Sequence, residues 1–493
     1  MGRGGEGQRP SYVLLLTTVC LGGVLAPLNS TMLAVALPEI RSAFSVSLAE
    51  IGWLVSAYLI AMAVAQPLGG RLGDQLGRAR VFRVGLIAFL VLSLATAFAP
   101  TFTVLVLFRT GQALVGAMVI PNGMAMLRES VPVNKLGMSM GFAGSAISFS
   151  AAAGPLLGAA LLLAGSWRLL FLVNVPLVGL ALASLALLSY PDTGVRKKFA
   201  LDWVGAMAFA ALLVSVTVLL NSLSGGQSGY LLAAGGIGLL AFSGLFLHRQ
   251  LSSATPIAEW GLFRNRSYTA ATTYILLNNL VMYSTLLSIP FFVKEVQNKG
   301  DVASGTLLAA MSLLMVFVAP LSGRISDRLG RRLPAVAGSL VVLVAVLLIL
   351  AGLDRNVSYG YLAASLAILG LGVGLGFGAA STAAIEAAPR ELAGAAAGTS
   401  SMMRYLGSIV GVGILGAVLS SGEAVSGVAV SGVAVPGVGL FRLMFAVLAV
   451  AAALATVAAT FVHRFPPESH GPAPEPALAR PDAAGVPVSY PKP

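Results

Sequence analysis

Fourteen apolar stretches, each long enough to cross a bilayer as a helix, dominate this chain of 493 residues. They cover approximately residues 12–37, 48–70, 81–99, 102–126, 137–164, 169–190, 203–221, 230–248, 269–293, 303–322, 333–353, 359–385, 392–420 and 440–462. A helix needs about 20 apolar residues to cross the hydrocarbon core. Lipid offers the backbone no hydrogen-bond partner, so apolar runs of this length can only be helices. Charged residues make up 10% of the chain, where a soluble domain carries about 25%. An all-α polytopic membrane protein is expected. The run from Tyr12 is longer than a signal-peptide core and is expected to stay as the first span.

Fourteen spans put both termini on one side. With that side inside, the inner segments hold 22 Lys and Arg residues and the outer segments five. Cytoplasmic segments carry such an excess, so both termini are expected in the cytoplasm. The net charge of +12 then reflects topology, and no nucleic-acid partner is implied.

A second constraint is a repeat. GRLGDQLGRAR at Gly70–Arg80 recurs as GRISDRLGRR at Gly323–Arg332, an offset of 253 residues. Gly70, Asp74, Gly77 and Arg78 align with Gly323, Asp327, Gly330 and Arg331. Each copy falls between two apolar runs and is expected as a basic, Gly-pinched loop after the second helix of a half. Duplicated halves are a hallmark of transporters. If each half has six helices, two more lie between them. The expected division is an N-terminus at 1–11, a six-helix bundle at 12–190, a linker with two additional spans at 191–268, a second bundle at 269–462 and a Pro-rich tail at 463–493. Residues 425–439 read VSGVA, VSGVA, VPGVG and are expected to form a flexible outer loop.

Several chemistries lack their residues. The only histidines are His248, His463 and His470, at span ends or in the tail, and Cys20 is the single cysteine. No haem, metal site or disulfide is expected. No lysine is followed by Ser or Thr, so there is no phosphate-binding loop of the nucleotide-hydrolysing kind. Neither a cofactor nor an enzymatic activity is expected.

Further motifs are specific. LNSTMLAVALP covers Leu28–Pro38; Arg109, Gln112 and Gly116 lie in the fourth run; Gly141, Ser150, Gly154, Pro155, Gly158 and Ala159 lie in the fifth. WRLLFLVNVP at Trp167–Pro176 precedes Asp202-Trp203-Val204-Gly205. Together with the two basic repeats, these make the chain resemble the fourteen-helix drug:proton antiporter branch of the major facilitator superfamily over residues 12–462. The resemblance implies two six-helix bundles plus two extra helices in a bacterial plasma membrane, working as a monomer. It implies proton-driven export of small apolar drugs or antibiotics. It also implies that the repeats (Gly70, Asp74, Gly77, Arg78, Arg80, Gly323, Asp327, Gly330, Arg331) latch the inner side closed. Arg109 and Gln112 would then serve proton movement or substrate contact, and Gly141, Gly154, Pro155 and Gly158 would form the antiporter motif. The family places Asp where this chain has Asn29, and Gly where it has Ser150 and Ala159.

The residues themselves add constraints. Arg109, seven residues into its run, lies roughly 10 Å deep, where an Arg costs ~2.5–3.5 kcal/mol on insertion scales. Arg404 is a second intramembrane cation. Tyr58, Gln66, Asn122, Asn278, Asn279 and Tyr283 are further polar candidates. None of the eighteen carboxylates is clearly mid-membrane. A proton pathway must therefore draw on Glu39, Glu386 or Asp74, or on the charge of the substrate. Two cations without an acid disfavour dications, so neutral, zwitterionic or anionic compounds are expected. Two other readings stay open: a dedicated exporter or facilitator of one self-made metabolite without proton coupling, and a non-transporting sensor.

Overall fold

A computed structural model describes residues 12–188, 190, 202–222, 229–253, 259–299, 301–389, 392–425 and 437–464. Most of the 425–439 repeat and of the tail lies outside the described residues, as does the N-terminus. The described residues form helices α1 (Tyr12–Phe44), α2 (Leu48–Leu76), α3 (Arg78–Ala97), α4 (Phe102–Ser130), α5 (Val133–Ala164) and α6 (Leu169–Ala186, interrupted at Val173). They continue with α7 (Trp203–Ser222), α8 (Gly229–Ser252), α9 (Arg266–Phe291), α10 (Asp301–Leu329), α11 (Arg332–Gly352), α12 (Tyr359–Glu386), α13 (Ala393–Val425) and α14 (Val438–Thr460). Thirteen are long and apolar enough to span a bilayer, and the bent α5 is the fourteenth.

Local chemistry fixes the ends. Ser47 and Glu50 form a reciprocal capping box that starts α2. Thr101 caps α4 and Ser358 caps α12. Asn265 accepts from the N–H groups of Ser267 and Tyr268 at the start of α9, while its amide donates to the Ala387 carbonyl beyond α12.

Many helices outrun their apolar stretches, and this corrects the expected repeat loops. Gly70 and Asp74 are the last turns of α2; Gly323 and Asp327 are those of α10; Arg78 and Arg80 open α3. Only Gly77 separates α2 from α3, and only Gly330 and Arg331 separate α10 from α11. Both glycines have positive φ, 96° and 90°. A single left-handed glycine reverses the chain, so the polar residues on either side stay helical.

Packing repeats between the halves. α1 packs on α5 as α9 packs on α13, α2 on α4 as α10 on α12, and α3 on α4 as α11 on α12. The halves meet where α2 lies on α13 and α5 on α10. α7 packs on α8 and rests on both α2 and α13. The two extra helices thus flank one seam between the halves.

The interior divides into three apolar cores. One is shared: it joins Val35 and Leu37 of α1, Leu54 of α2, Leu286 and Ile289 of α9, Leu307 and Leu308 of α10 and Leu366 of α12. The others belong to one half each, at the end bearing the basic repeats. Phe82, Phe89, Met126, Val178 and Leu185 make the first. Tyr268, Tyr274, Ala380, Ala383 and Ala459 make the second. The halves are therefore fused at the end opposite the repeats and packed independently at the repeat end.

Candidate functional site

The first half buries a ring of hydrogen bonds around Arg109, which is 1% exposed. Its guanidinium donates to the Asn29 carbonyl at 2.6 Å, the Asn29 amide oxygen at 3.3 Å and the Gln112 amide oxygen at 2.5 Å. Gln112 donates to the Ser93 hydroxyl at 2.7 Å. Asn174 donates to Ser93 at 3.3 Å and to the Asn29 amide oxygen at 3.1 Å, and accepts from the Asn29 amide at 2.6 Å. The ring closes over α1, α3, α4 and α6. Tyr58 of α2 lies against the guanidinium, 4.0 Å from ring centroid to Cζ, with Phe171 at 5.5 Å.

No carboxylate bonds to Arg109 among the described residues. Neutral amide oxygens and aromatic faces take the place of a counter-ion. A desolvated cation–π contact is worth about 2 kcal/mol, and hydrogen bonds to a charged group about 1.5–3 kcal/mol each. Asn29 suits the ring because it donates and accepts at once; a carboxylate only accepts. Arg109 Nε is left without a partner. Asn29, Arg109 and Gln112 are thus brought together, with Ser93 and Asn174 as further members.

Arg404 is not in that ring. It lies half-buried on α13, and its guanidinium donates to the Tyr405 hydroxyl at 3.3 Å. Across the junction of the halves, the Tyr283 hydroxyl meets Ser30 of α1 at 2.8 Å.

The basic repeats carry parallel ion-pair clusters. Arg78 pairs with Asp74 one turn back, and its Nε donates to Glu129 at the end of α4 at 2.7 Å. Arg331 pairs with Asp327 at 2.6 Å and grips Glu386, the last residue of α12, through Nε at 3.0 Å and Nη2 at 2.8 Å. The second cluster is larger. His463 approaches Glu386 at 3.4 Å and meets the Ser267 hydroxyl at 2.7 Å, and the Arg331 N–H donates to the Arg464 carbonyl at 2.7 Å. Hydrogen bonding to Glu386 raises the Arg331 pKa above its ordinary value, against burial, with Asp327 assisting. The repeat glycines differ in use. Gly73, between Gly70 and Asp74, leaves room for the Asn122 side chain, which donates to the Gly69 carbonyl at 2.8 Å. Gly323 faces open space. Arg80 is exposed in the first turn of α3.

On α5, Gly154 and Gly158 abut Thr31 and Met32 of α1 so closely that a methyl group at either would overlap them. Gly407 and Gly411 of α13, each 253 residues later, meet Leu276, Leu280 and Ser284 of α9 in the same way. Gly141 lies nearer the start of α5, which bends by 45° between Ala151 and Ala153, just before Pro155.

At the opposite end, Glu39 is half-buried and accepts from the Trp167 N–H at 3.2 Å. Arg41, two residues on, pairs with Glu295 of the second half at 2.6 Å. Glu39, Glu386 and Asp74 therefore all sit at helix ends, apart from Arg109. Asp202, before α7, illustrates the same pattern. Burial pushes its carboxyl up, but the Gly205 N–H and Arg249 outweigh this and hold it below its ordinary value.

A family model described as Major Facilitator Superfamily matches residues 19–412. The Bacillus subtilis (strain 168) protein named Uncharacterized MFS-type transporter YvkA is 32% identical over 406 residues, covering 82% of this chain and 90% of that protein. The Tetracenomycin C resistance and export protein of Streptomyces glaucescens is 30% identical over 413 residues, covering 82% of this chain and 76% of its own length. The multidrug resistance protein Stp of Mycobacterium tuberculosis is 29% identical over 420 residues, with 83% and 76% covered.

Proposed function

The chain belongs to the major facilitator superfamily of membrane transporters, and from that membership we propose that it exports small apolar drugs or antibiotics from a bacterial cell, in exchange for protons, by alternating access. The repeat end faces the cytoplasm, with both termini, and residues 12–190 and 269–462 are the moving bodies. One observation carries the reading: the halves share a core at one end and have separate cores at the other. A rigid-body rocking of two packed bundles exchanges one apolar seam for another. In this reading the halves are joined at the end where Arg41 pairs with Glu295, and substrate enters from the repeat end. The ion-pair clusters at Arg78 and Arg331 tie each hairpin to the end of a neighbouring helix, so each half moves as a unit.

Export of drugs follows the names of relatives such as the tetracenomycin C and multidrug resistance proteins. Proton drive is energetically adequate. One charge crossing 100 mV supplies ~2.3 kcal/mol, and tenfold accumulation needs ~1.4 kcal/mol. Glu386, Glu39 and Asp74 are the carboxylates available to it.

The Arg109 ring favours a second reading, an uncoupled facilitator or dedicated metabolite exporter. It contains Asn29 where an antiporter of this branch has Asp, so it has no acid to titrate. Substrate efflux from loaded proteoliposomes, with and without an outward-acidic gradient, separates the two. Proton-coupled export predicts faster efflux with the gradient and loss of that gain in Arg109→Ala. Efflux indifferent to the gradient contradicts coupling and selects the facilitator.

A further inference from the structure

At the junction where the separate cores meet the shared one, positive charge and hydrogen-bond donors gather without an acid. Tyr283 of α9 lies within electrostatic reach of Arg404, Arg109 and Tyr405, and Tyr58 of α2 within reach of Arg109, Tyr405 and Tyr283. Arg109 gives three of its four Nη hydrogens to its own ring. Arg404 does not. A guanidinium has five N–H donors, and this one meets only the neighbouring Tyr405 hydroxyl among the described residues. It is half-buried well inside α13, about 16 Å from Ala393 at 1.5 Å per residue. Buried donors normally find acceptors, and a cation at membrane depth normally faces a partner or a water-filled cavity. Among the described residues no acidic acceptor bonds to Arg404.

We propose that this junction binds a singly charged aromatic anion, a carboxylate or phenolate on an apolar body, with Arg404 as its direct contact and Tyr283 and Tyr405 orienting it. One charge is specified because Arg109 is fully buried and gives three of its four Nη hydrogens to Asn29 and Gln112, whereas the half-buried Arg404 makes one side-chain hydrogen bond among the described residues. Aromatic character is specified because Tyr58, Tyr283 and Tyr405 flank the two cations and provide ring surface. The inference rests on the transport reading for its route of access from the repeat end.

The test uses the full chain in phosphatidylcholine nanodiscs and three fluorescent probes of one shape: 9-anthroate, 9-anthracenemethanol and 9-anthracenemethylammonium. Anisotropy is read against empty discs. Anthroate is expected to bind about tenfold tighter than the ammonium probe, and Arg404→Gln to weaken anthroate about tenfold while sparing the neutral probe. Arg404→Lys should retain most of the anthroate affinity, and Tyr283→Phe should weaken it about threefold. If Arg404→Gln does not fold, the lysine and phenylalanine variants decide. Ammonium binding equal to or tighter than anthroate binding, or anthroate affinity indifferent to residues 404 and 283, overturns the proposal. Arg404-dependent binding without movement across proteoliposome membranes would instead sink the export reading and leave the site standing. Efflux of anthroate indifferent to Arg404 would do the reverse.

Discussion

In the first half Arg78 holds Asp74 and Glu129; in the second, Arg331 holds Asp327 and Glu386 and is joined by His463, Ser267 and the Arg464 carbonyl. The clusters share an origin in the repeat but not a load. Arg331 is 14% exposed and bonds Glu386 with two parallel hydrogen bonds, whereas Arg78 is 22% exposed and bonds Glu129 through one nitrogen. Below them the contrast reverses. The deep polar ring around Arg109 belongs to the first half, while the second half offers the half-buried Arg404 on α13. The glycine seams, Gly154 and Gly158 against Gly407 and Gly411, are equivalent in both. What repeats is the packing of each bundle. What differs is the buried charge each bundle carries.

The largest break in that comparison should come from the two deep cations. Arg109→Ala strips hydrogen bonds from Asn29 and Gln112 inside a sealed ring and should cost about 3–5 kcal/mol. Arg404→Ala should cost no more than about 1 kcal/mol, because among the described residues its side chain bonds only to Tyr405. Reversible denaturation in detergent would compare them; equal losses would show that Arg109 is not the structural cation of the pair.

The glycine seams should respond alike. Gly154→Ala and Gly407→Ala each drive a methyl into a neighbouring helix and should each cost roughly 3 kcal/mol, the upper range for overpacking. A tolerant Gly407→Ala, read by the same melts, would break the equivalence of the seams.

The repeat clusters should separate. Arg331→Ala removes charge-assisted bonds to a half-buried carboxylate and should cost about 2 kcal/mol. Arg78→Ala, at a more open site, should cost ~0.2–1 kcal/mol. A reversed order would place the tighter cluster in the first half. A comparably small effect, about 0.5 kcal/mol, is expected from His463→Ala, since Glu386 keeps both bonds to Arg331. Hydrogen exchange at the α10–α11 junction would check that it stays protected.

The helices and the repeat offset were legible because apolar length and motif spacing are written along the chain. The faces of the helices were not. Spans that are apolar nearly all round carry no periodicity to tell which side meets a neighbour. Asn29, Arg109 and Gln112 stood out as polar residues in apolar runs, but nothing local joins them to Ser93 or Asn174. Asn174 sits within the quoted WRLLFLVNVP stretch without being distinguished from its neighbours. Glu129 was hidden for a different reason: at a span end a carboxylate looks like ordinary boundary charge until the approach of Arg78 is seen. The helical ends of α2 and α10 were missed because polar residues at the end of an apolar run look the same in a loop and in a last turn.

In the proposed cycle the two halves move about a shared core that must open each time. Arg41→Cys and Glu295→Cys, in a Cys20→Ser background, place the only two cysteines on either side of the ion pair that closes the end opposite the repeats. A short thiol-specific cross-linker between them should abolish substrate efflux from proteoliposomes, and cleavage of the linker should restore it. Full efflux with the cross-link in place would mean that this end never opens, and alternating access would be the wrong description of this transporter.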